Sequence, residues 1–213
     1  MVGAGIAAFI VGAISGLEVT LRAFVWTFVG QAAGSFAVLT YLSSNRGTGN
    51  LTRDFGLEVR LEHWWGVPAG AVLQFAALLI TLPLLQLLFP EGAPEQEVAA
   101  IARTSKTAID AVLILVTVGI LAPVVEEIVF RGMLLSRLLR SISTWWAIVA
   151  QAGLFAVIHV LFDVGAVAAL PGLFLIGVVL GYAAIRSGSL SLPITLHAGV
   201  NLIAAVALIA GAA

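Results

Sequence analysis

Long apolar runs alternate with short polar connections along the whole chain. A helix needs about 20 predominantly apolar residues to cross the hydrocarbon core of a bilayer. Seven stretches approach this length, although the first is short, so we expect the chain to start inside its first helix. The predicted segments are 2–17, 23–42, 67–89, 109–135, 144–162, 166–185 and 189–211. The pattern therefore predicts an all-α, polytopic bundle of six to seven transmembrane helices, forming a single membrane domain over 1–213.

Two stretches depart from this simple alternation. The segment 109–135 is longer than one span and contains Pro123, which predicts a kink or a projection beyond the bilayer. The segment 51–65 alternates charged and apolar residues and ends in Trp64 and Trp65. Because tryptophan favours the level of the lipid headgroups, we expect this segment to lie along the membrane surface.

Composition supports a membrane protein and excludes several function classes. Of the 213 residues, 61% are hydrophobic and 10% are charged, and the mean hydropathy is +1.13. Soluble domains have about 25% charged residues. The net charge of −1 gives no electrostatic basis for binding nucleic acid. Cysteine is absent, which excludes disulfides, thiolate metal sites, a cysteine nucleophile and lipidation of the chain itself on cysteine.

The basic residues predict an orientation. Cytoplasmic connections of membrane proteins are enriched in lysine and arginine. One alternating set of connections and helix ends carries six basic residues: Arg46, Arg53, Arg60, Arg137, Arg140 and Arg186. The other set carries three: Arg22, Arg103 and Lys106. The first set is therefore expected in the cytoplasm, and the C-terminus outside.

The first of three polar clusters lies in the apolar segment 109–135. A charged side chain at the bilayer centre costs about 2.5–3.5 kcal/mol on insertion scales. Glu126 and Glu127 are adjacent, so on a helix they point about 100° apart. Arg131 follows Glu127 by four residues, the spacing of an intrahelical ion pair. The spacing predicts that Glu127 and Arg131 form structural support and that Glu126 faces a cavity.

The other two clusters are Phe155 with His159, and His197 with Asn201, each pair one helical turn apart. A carboxylate beside a neutral imidazole can hold and deprotonate a water molecule. Imidazole and amide N–H groups can stabilise an oxyanion. Phe155 either packs between helices or shields the site from lipid.

These side chains predict hydrolysis of a peptide bond by an activated water molecule. The same three groups, Glu126, His159 and His197, are also a possible zinc ligand set with one position open, although no His-Glu-x-x-His pattern is present. Two other classes remain open from the residues alone: a proton-coupled transporter and a non-catalytic membrane scaffold that binds a partner through the same cavity.

Taken in order, the three clusters resemble a known family. Glu126-Glu127-x-x-x-Arg131, Phe155-x-x-x-His159 and His197-x-x-x-Asn201 are similar to the signature of the CAAX-protease and bacteriocin-processing (CPBP, or Abi) family of intramembrane proteases, which includes the type II CAAX prenyl endopeptidases. The resemblance covers roughly 109–205, which would be the protease core. The region 2–108 would then supply N-terminal helices and the surface segment.

The resemblance implies roles for the site residues. Glu126 and His159 would activate water, His197 and Asn201 would form the oxyanion hole, and Glu127, Arg131 and Phe155 would support the site. No cofactor would be required, with zinc as the alternative. The substrate would be a peptide or a prenylated protein in the lipid bilayer. The site would open toward the cytoplasm of a prokaryotic plasma membrane, on the side of Arg137 and Arg140.

Overall fold

The computed structural model describes residues 20–92, 94–104 and 107–212, and the described residues form helices and no strands. The segment predicted at 2–17 lies outside these ranges. We number the helices α1 (Leu21–Arg46), α2 (Leu51–Phe55), α3 (Gly66–Leu88), α4 (Glu97–Thr104), α5 (Ala108–Leu138), α6 (Thr144–Phe162), α7 (Leu170–Ser187) and α8 (Ser191–Ala212). The predicted all-α fold is confirmed.

Six of the described helices, α1, α3 and α5 to α8, are long and apolar enough to cross a membrane. They correspond to the six predicted segments from 23–42 onward, and α6 matches its predicted bounds of 144–162. The protein is a multi-pass integral membrane protein. The short helices α2 and α4 lie in the connections that precede α3 and α5.

Helix α5 is irregular around Pro123. A capping box between Thr107 and Asp110 begins the helix. Two π-helical stretches, Thr117–Leu121 and Ile128–Leu135, then flank the α-helical stretch Ala122–Glu127. Proline has no N–H to donate to the preceding turn, and π-helical turns are frequent at functional sites. The irregularity predicted at Pro123 therefore lies directly beside both glutamates.

Consecutive spanning helices run in opposite directions, so the connections gather at two ends of the bundle. At the first end, Leu190 N–H donates to Gly56 O over 2.8 Å, which joins the connection after α7 to the connection before α3. We call it the arginine end, because all six arginines of the predicted cytoplasmic set lie there or in the adjoining helix turns. At the second end, Glu97 N–H donates to the Asp163 carboxylate over 3.0 Å. We call this second end, which comprises 89–92, 94–104 and 163–169, the cavity end.

Helix α8 packs closely against α3 through glycine. A Cβ atom on Gly70 would overlap the carbonyl oxygen of Leu196, and one on Gly199 would overlap the carbonyl oxygen of Val67. Small residues allow such backbone contact between membrane helices. Because α8 also carries His197 and Asn201, this packing fixes where both side chains meet α5.

The contact predicts different effects for two glycine-to-alanine substitutions. Gly70→Ala should lower the stability of the protein by about 1–3 kcal/mol, because the methyl group has to displace backbone of α8. Gly30→Ala in α1 is the matched control, since a Cβ atom there meets nothing within 4 Å. Thermal unfolding in detergent measures both, and equal midpoints for the two variants would contradict the tight α3–α8 contact.

Candidate active site

A cavity of about 290 Å³ lies between the long helices and extends toward the cavity end. Five of the seven predicted site residues line it: Glu126, Phe155, His159, His197 and Asn201. The other two, Glu127 and Arg131, lie behind the cavity wall. The structure thus brings together the three clusters that are separated in the sequence.

The predicted ion pair between Glu127 and Arg131 is present and completely enclosed. Arg131 Nη1 donates to Glu127 Oε1 over 2.7 Å, and both side chains are 0% exposed. Arg131 Nη2 donates to the carbonyl oxygen of Gly177 over 3.2 Å. A buried charge without its partner is strongly unfavourable, so neither charge is tolerated here without the other.

Glu126 points away from this pair and into the cavity. Its Oε2 atom lies 3.6 Å from His159 Nε2 and 3.7 Å from His197 Nε2. Both distances exceed a direct hydrogen bond. Oε2 has no hydrogen-bond partner among the described residues. One carboxylate oxygen is therefore aimed at two imidazole nitrogens at nearly equal distance.

The Nδ1 atom of each histidine is held by a fixed acceptor. His197 Nδ1 lies 2.8 Å from Glu127 Oε1, and His159 Nδ1 lies 2.8 Å from the carbonyl oxygen of Phe155. An ionised carboxylate and a carbonyl can only accept, so each Nδ1 carries the hydrogen and donates. In the neutral imidazoles, both Nε2 atoms then present a lone pair toward Glu126.

Asn201 is oriented by the π-helical stretch of α5. Its Nδ2 atom donates to the carbonyl oxygen of Val118 over 2.9 Å. Because a carbonyl only accepts, this bond assigns the amide nitrogen to that side. The side chain also borders the cavity. The second N–H of the amide is therefore available to a bound group.

Phe155 lies at the centre of the cluster and is fully buried. Its ring centroid is 4.5 Å from that of His159 and 5.8 Å from that of His197. The guanidinium carbon of Arg131 lies 4.8 Å from the same centroid. The Phe155 ring thus separates the enclosed ion pair from the cavity and limits the rotation of both imidazole rings.

Zinc is the alternative predicted for three of these side chains. Glu126, His159 and His197 converge, but no group of three or more His, Cys, Asp or Glu side chains in the described ranges is arranged to hold a metal ion. We therefore derive no reaction step through zinc. The zinc alternative remains a prediction.

The remaining cavity wall is mostly apolar and leads to the cavity end. Gln96, Val98 and Asp163 line it there. Asp163 follows His159 by four residues. Asp163 accepts hydrogen bonds from the backbone N–H groups of Glu97 and Gly165. Burial and the charge of Asp163 raise the pKa of Glu97 above the usual glutamate range.

The position of the cavity is inconsistent with one pair of expectations: that the site opens to the cytoplasm, and that Arg137 and Arg140 lie on the same side. Arg137 and Arg140 lie at the arginine end, and the cavity extends toward the opposite end. A cavity that opens to the cytoplasm and a cytoplasmic position for these arginines exclude each other. The long irregular helix α5 conceals this in the sequence, because Glu126 lies near its middle.

Three groups that support the predicted residues, directly or through one intermediate, were not predicted from the sequence. Two are backbone carbonyls, of Val118 and Gly177, which no side-chain pattern could indicate. The third is Gln151, which is fully buried and donates to the same Gly177 oxygen over 2.8 Å. Gln151 precedes Phe155 by one helical turn in an apolar helix, and this spacing was a usable signal.

A family model and a curated protein are each similar to part of the chain. Residues 108–203 match the family described as type II CAAX prenyl endopeptidase Rce1-like. The range contains all seven predicted site residues, and over it the predicted resemblance is confirmed. A curated Escherichia coli protein, described as an uncharacterized 24.3 kDa protein, is 38% identical over 90 residues. That alignment covers 41% of this chain and 41% of the relative. No solved structure matches the chain.

The different environments of the two glutamates predict different responses to neutralisation. Glu127→Gln should lower stability by about 3–5 kcal/mol, because it leaves the enclosed charge of Arg131 unpaired. Glu126→Gln should leave stability unchanged or raise it, because Glu126 has no ion-pair partner at hydrogen-bonding distance. Thermal unfolding of both variants in the same detergent measures the difference, and equal losses would contradict separate roles for the two carboxylates.

Proposed function

From the match of residues 108–203 to the type II CAAX prenyl endopeptidase family, we propose that this membrane protein is an intramembrane endopeptidase. It hydrolyses a peptide bond with a water molecule activated by Glu126 and His159. The observation that carries the proposal is the Glu126 carboxylate, which faces two imidazoles in a cavity while a separate ion pair lies behind it. This arrangement supplies a base, donors for an oxyanion and a fixed support.

The attacking water molecule lies between Glu126 Oε2 and His159 Nε2. A separation of 3.6 Å is too long for a direct hydrogen bond and suits a shared water molecule. Glu126 takes one proton from the water molecule as the water oxygen attacks the peptide carbonyl carbon. The proton then passes to the leaving amine as the C–N bond breaks. The products are a carboxylic acid and an amine, and Glu126 returns to its ionised form.

Asn201 and His197 stabilise the negative oxygen of the tetrahedral intermediate. Asn201 donates the amide N–H that is not bonded to Val118. His197 donates from Nε2 after that atom receives the proton that Glu126 has taken from the water, and it releases this proton toward the leaving amine. Glu127 accepts from Nδ1 throughout.

We propose a metal-free mechanism. The described side chains provide the base and both oxyanion donors without a Lewis acid. The alternative uses zinc held by Glu126, His159 and His197, where a bound metal would polarise the peptide carbonyl and activate water. Metal analysis of the active protein distinguishes the two.

The proposed substrate is a membrane-associated peptide with an apolar attachment, for which a prenylated C-terminal peptide is the family's example. The cavity wall supports this class. Small and apolar residues cover most of it, including Ala77, Ala166, Gly172 and Ala204. Such a wall accommodates a chain of methylene or isoprene groups and offers few polar partners away from the Glu126 site.

For the orientation, we propose that the arginine end faces the cytoplasm of a prokaryotic plasma membrane. Six basic residues against three support this assignment. The cavity then opens to the outer side. In the opposite orientation, the cavity would be accessible to cytoplasmic prenylated proteins.

Substitution of Glu126 tests the catalytic assignment. Purified protein should cleave a fluorogenic prenylated peptide or another lipid-attached peptide in detergent, and Glu126→Gln should lower kcat at least about 100-fold, since the general base is removed. Val157→Ala is the control, because Val157 faces outward on α6. Stoichiometric zinc in active wild type, with activity lost on chelation, would overturn the metal-free mechanism. Undiminished cleavage by Glu126→Gln would overturn the assignment itself.

Cysteine labelling tests the orientation in intact cells. The chain has no cysteine, so single substitutions give an unambiguous signal. Glu91→Cys at the cavity end should react with a membrane-impermeant maleimide before lysis. Ser141→Cys at the arginine end should react only after lysis. Both positions are exposed in the structure. The reverse pattern would place the cavity on the cytoplasmic side.

A further inference from the structure

Gln151 on α6 is a fully buried polar side chain in an apolar helix. Its Nε2 atom donates to the carbonyl oxygen of Gly177 over 2.8 Å and to that of Ile148 over 3.1 Å. Both partners are acceptors, which fixes the orientation of the amide. Gln151 is not among the described residues that line the cavity. Any effect on substrate therefore passes through its neighbours.

Two glycines of α7 make room for this side chain. A Cβ atom on Gly181 would lie 2.5 Å from Gln151 Nε2, and one on Gly177 would lie 3.0 Å from the Cα atom of Ala152. Helices α6 and α7 thus approach at Gly177 and Gly181, and the glutamine amide fills the space above Gly181. Its donors reach the Gly177 carbonyl only because of this close approach.

The Gly177 carbonyl is also the second acceptor of Arg131. Arg131 Nη2 donates to it over 3.2 Å, while Nη1 donates to Glu127 over 2.7 Å. Glu127 in turn accepts from His197 Nδ1 over 2.8 Å. A continuous set of contacts therefore runs from Gln151 through the Gly177 oxygen, Arg131 and Glu127 to the imidazole of His197.

We propose that Gln151 is a positioning residue for His197. By holding the Gly177 carbonyl in place, it fixes one of the two acceptors of the Arg131 guanidinium. The guanidinium in turn sets the direction of the Glu127 carboxylate, and the carboxylate holds the hydrogen of His197 on Nδ1. The role in catalysis rests on the proposed function. The effect on the imidazole does not.

The alternative is that Gln151 only packs α6 against α7. The two roles differ in what a shape-conserving substitution changes. Gln151→Met keeps the length and volume of the side chain and removes its donors. If Gln151 only packs, stability falls and the His197 ring is unaffected. If Gln151 positions His197, the hydrogen of the His197 ring is no longer held on Nδ1, even in protein that stays folded.

Nitrogen NMR of ¹⁵N-histidine-labelled protein in detergent measures this directly. The chain has three histidines, His63, His159 and His197, so each signal is assigned by omitting one histidine. In wild type, the two ring nitrogens of His197 should give the well-separated signals of a ring with hydrogen on Nδ1. In Gln151→Met, the two signals should move toward each other as both hydrogen positions become populated. His63 serves as the internal control.

Gly181→Ala gives the same displacement without changing Gln151, because its methyl group would press on the amide nitrogen. It should shift the His197 signals as Gln151→Met does, and the double variant should add little, since both act through one contact. Gly153→Ala on α6 is the matched control, because a Cβ atom there meets nothing within 4 Å. Gly153→Ala should leave the His197 signals unchanged.

The kinetic expectation is a fall in kcat of about 10-fold to 100-fold with KM changed less than about twofold, because small misplacements affect the reaction more than binding. Unchanged His197 signals in folded Gln151→Met and Gly181→Ala would overturn the proposal. If the wild type cleaves no peptide but the variants still shift the His197 signals, the positioning of His197 is supported and the protease function is contradicted. The two failures are therefore distinguishable.

Discussion

The enclosed ion pair between Glu127 and Arg131 is the constraint on which the rest of this structure depends. Two charges without exposure in an apolar bundle are tolerable only when they are paired. Helix α5 supplies the pair by its own spacing, and α7 supplies the Gly177 carbonyl for the second guanidinium nitrogen. The pair thus ties the helix that carries the glutamates to its neighbour, and it fixes the rotation of α5.

That rotation determines what Glu126 can do. Since adjacent residues point about 100° apart on a helix, a buried Glu127 directs Glu126 into the cavity. The same Glu127 oxygen accepts from both Arg131 and His197. Glu127 therefore neutralises the charge of Arg131 and holds the hydrogen of His197 on Nδ1. The Glu126 carboxylate remains available to a ligand. The division of labour follows from helix geometry and from the high free energy of an unpaired charge.

The sequence predicted the helices and the side chains that meet at the cavity because both depend on local spacing. Glu127 and Arg131 at four residues, and the pairs that contain His159 and His197, are patterns within single helices. The groups that the sequence did not predict depend on contacts between helices. The Val118 carbonyl that orients Asn201 is backbone in a π-helical stretch, and no residue type indicates such a carbonyl. Gln151 was visible as a polar residue in an apolar helix, but its contact with Gly177 requires the approach of α6 and α7.

The direction of the cavity shows the same limit on a larger scale. The arginines and the catalytic candidates are close in sequence, since Arg137 follows Glu126 by eleven residues. In a helix that distance is about 16 Å, which is half of a bilayer's hydrocarbon core. Nearness in sequence therefore does not establish that two groups share a membrane face. His159 lies one turn from Asp163 at the cavity end, whereas His197 lies two turns from the start of α8 at the arginine end. The spanning helices are thus staggered along the bundle axis. A site at one depth is built from different heights on each helix, and only their packing reveals the face to which it opens.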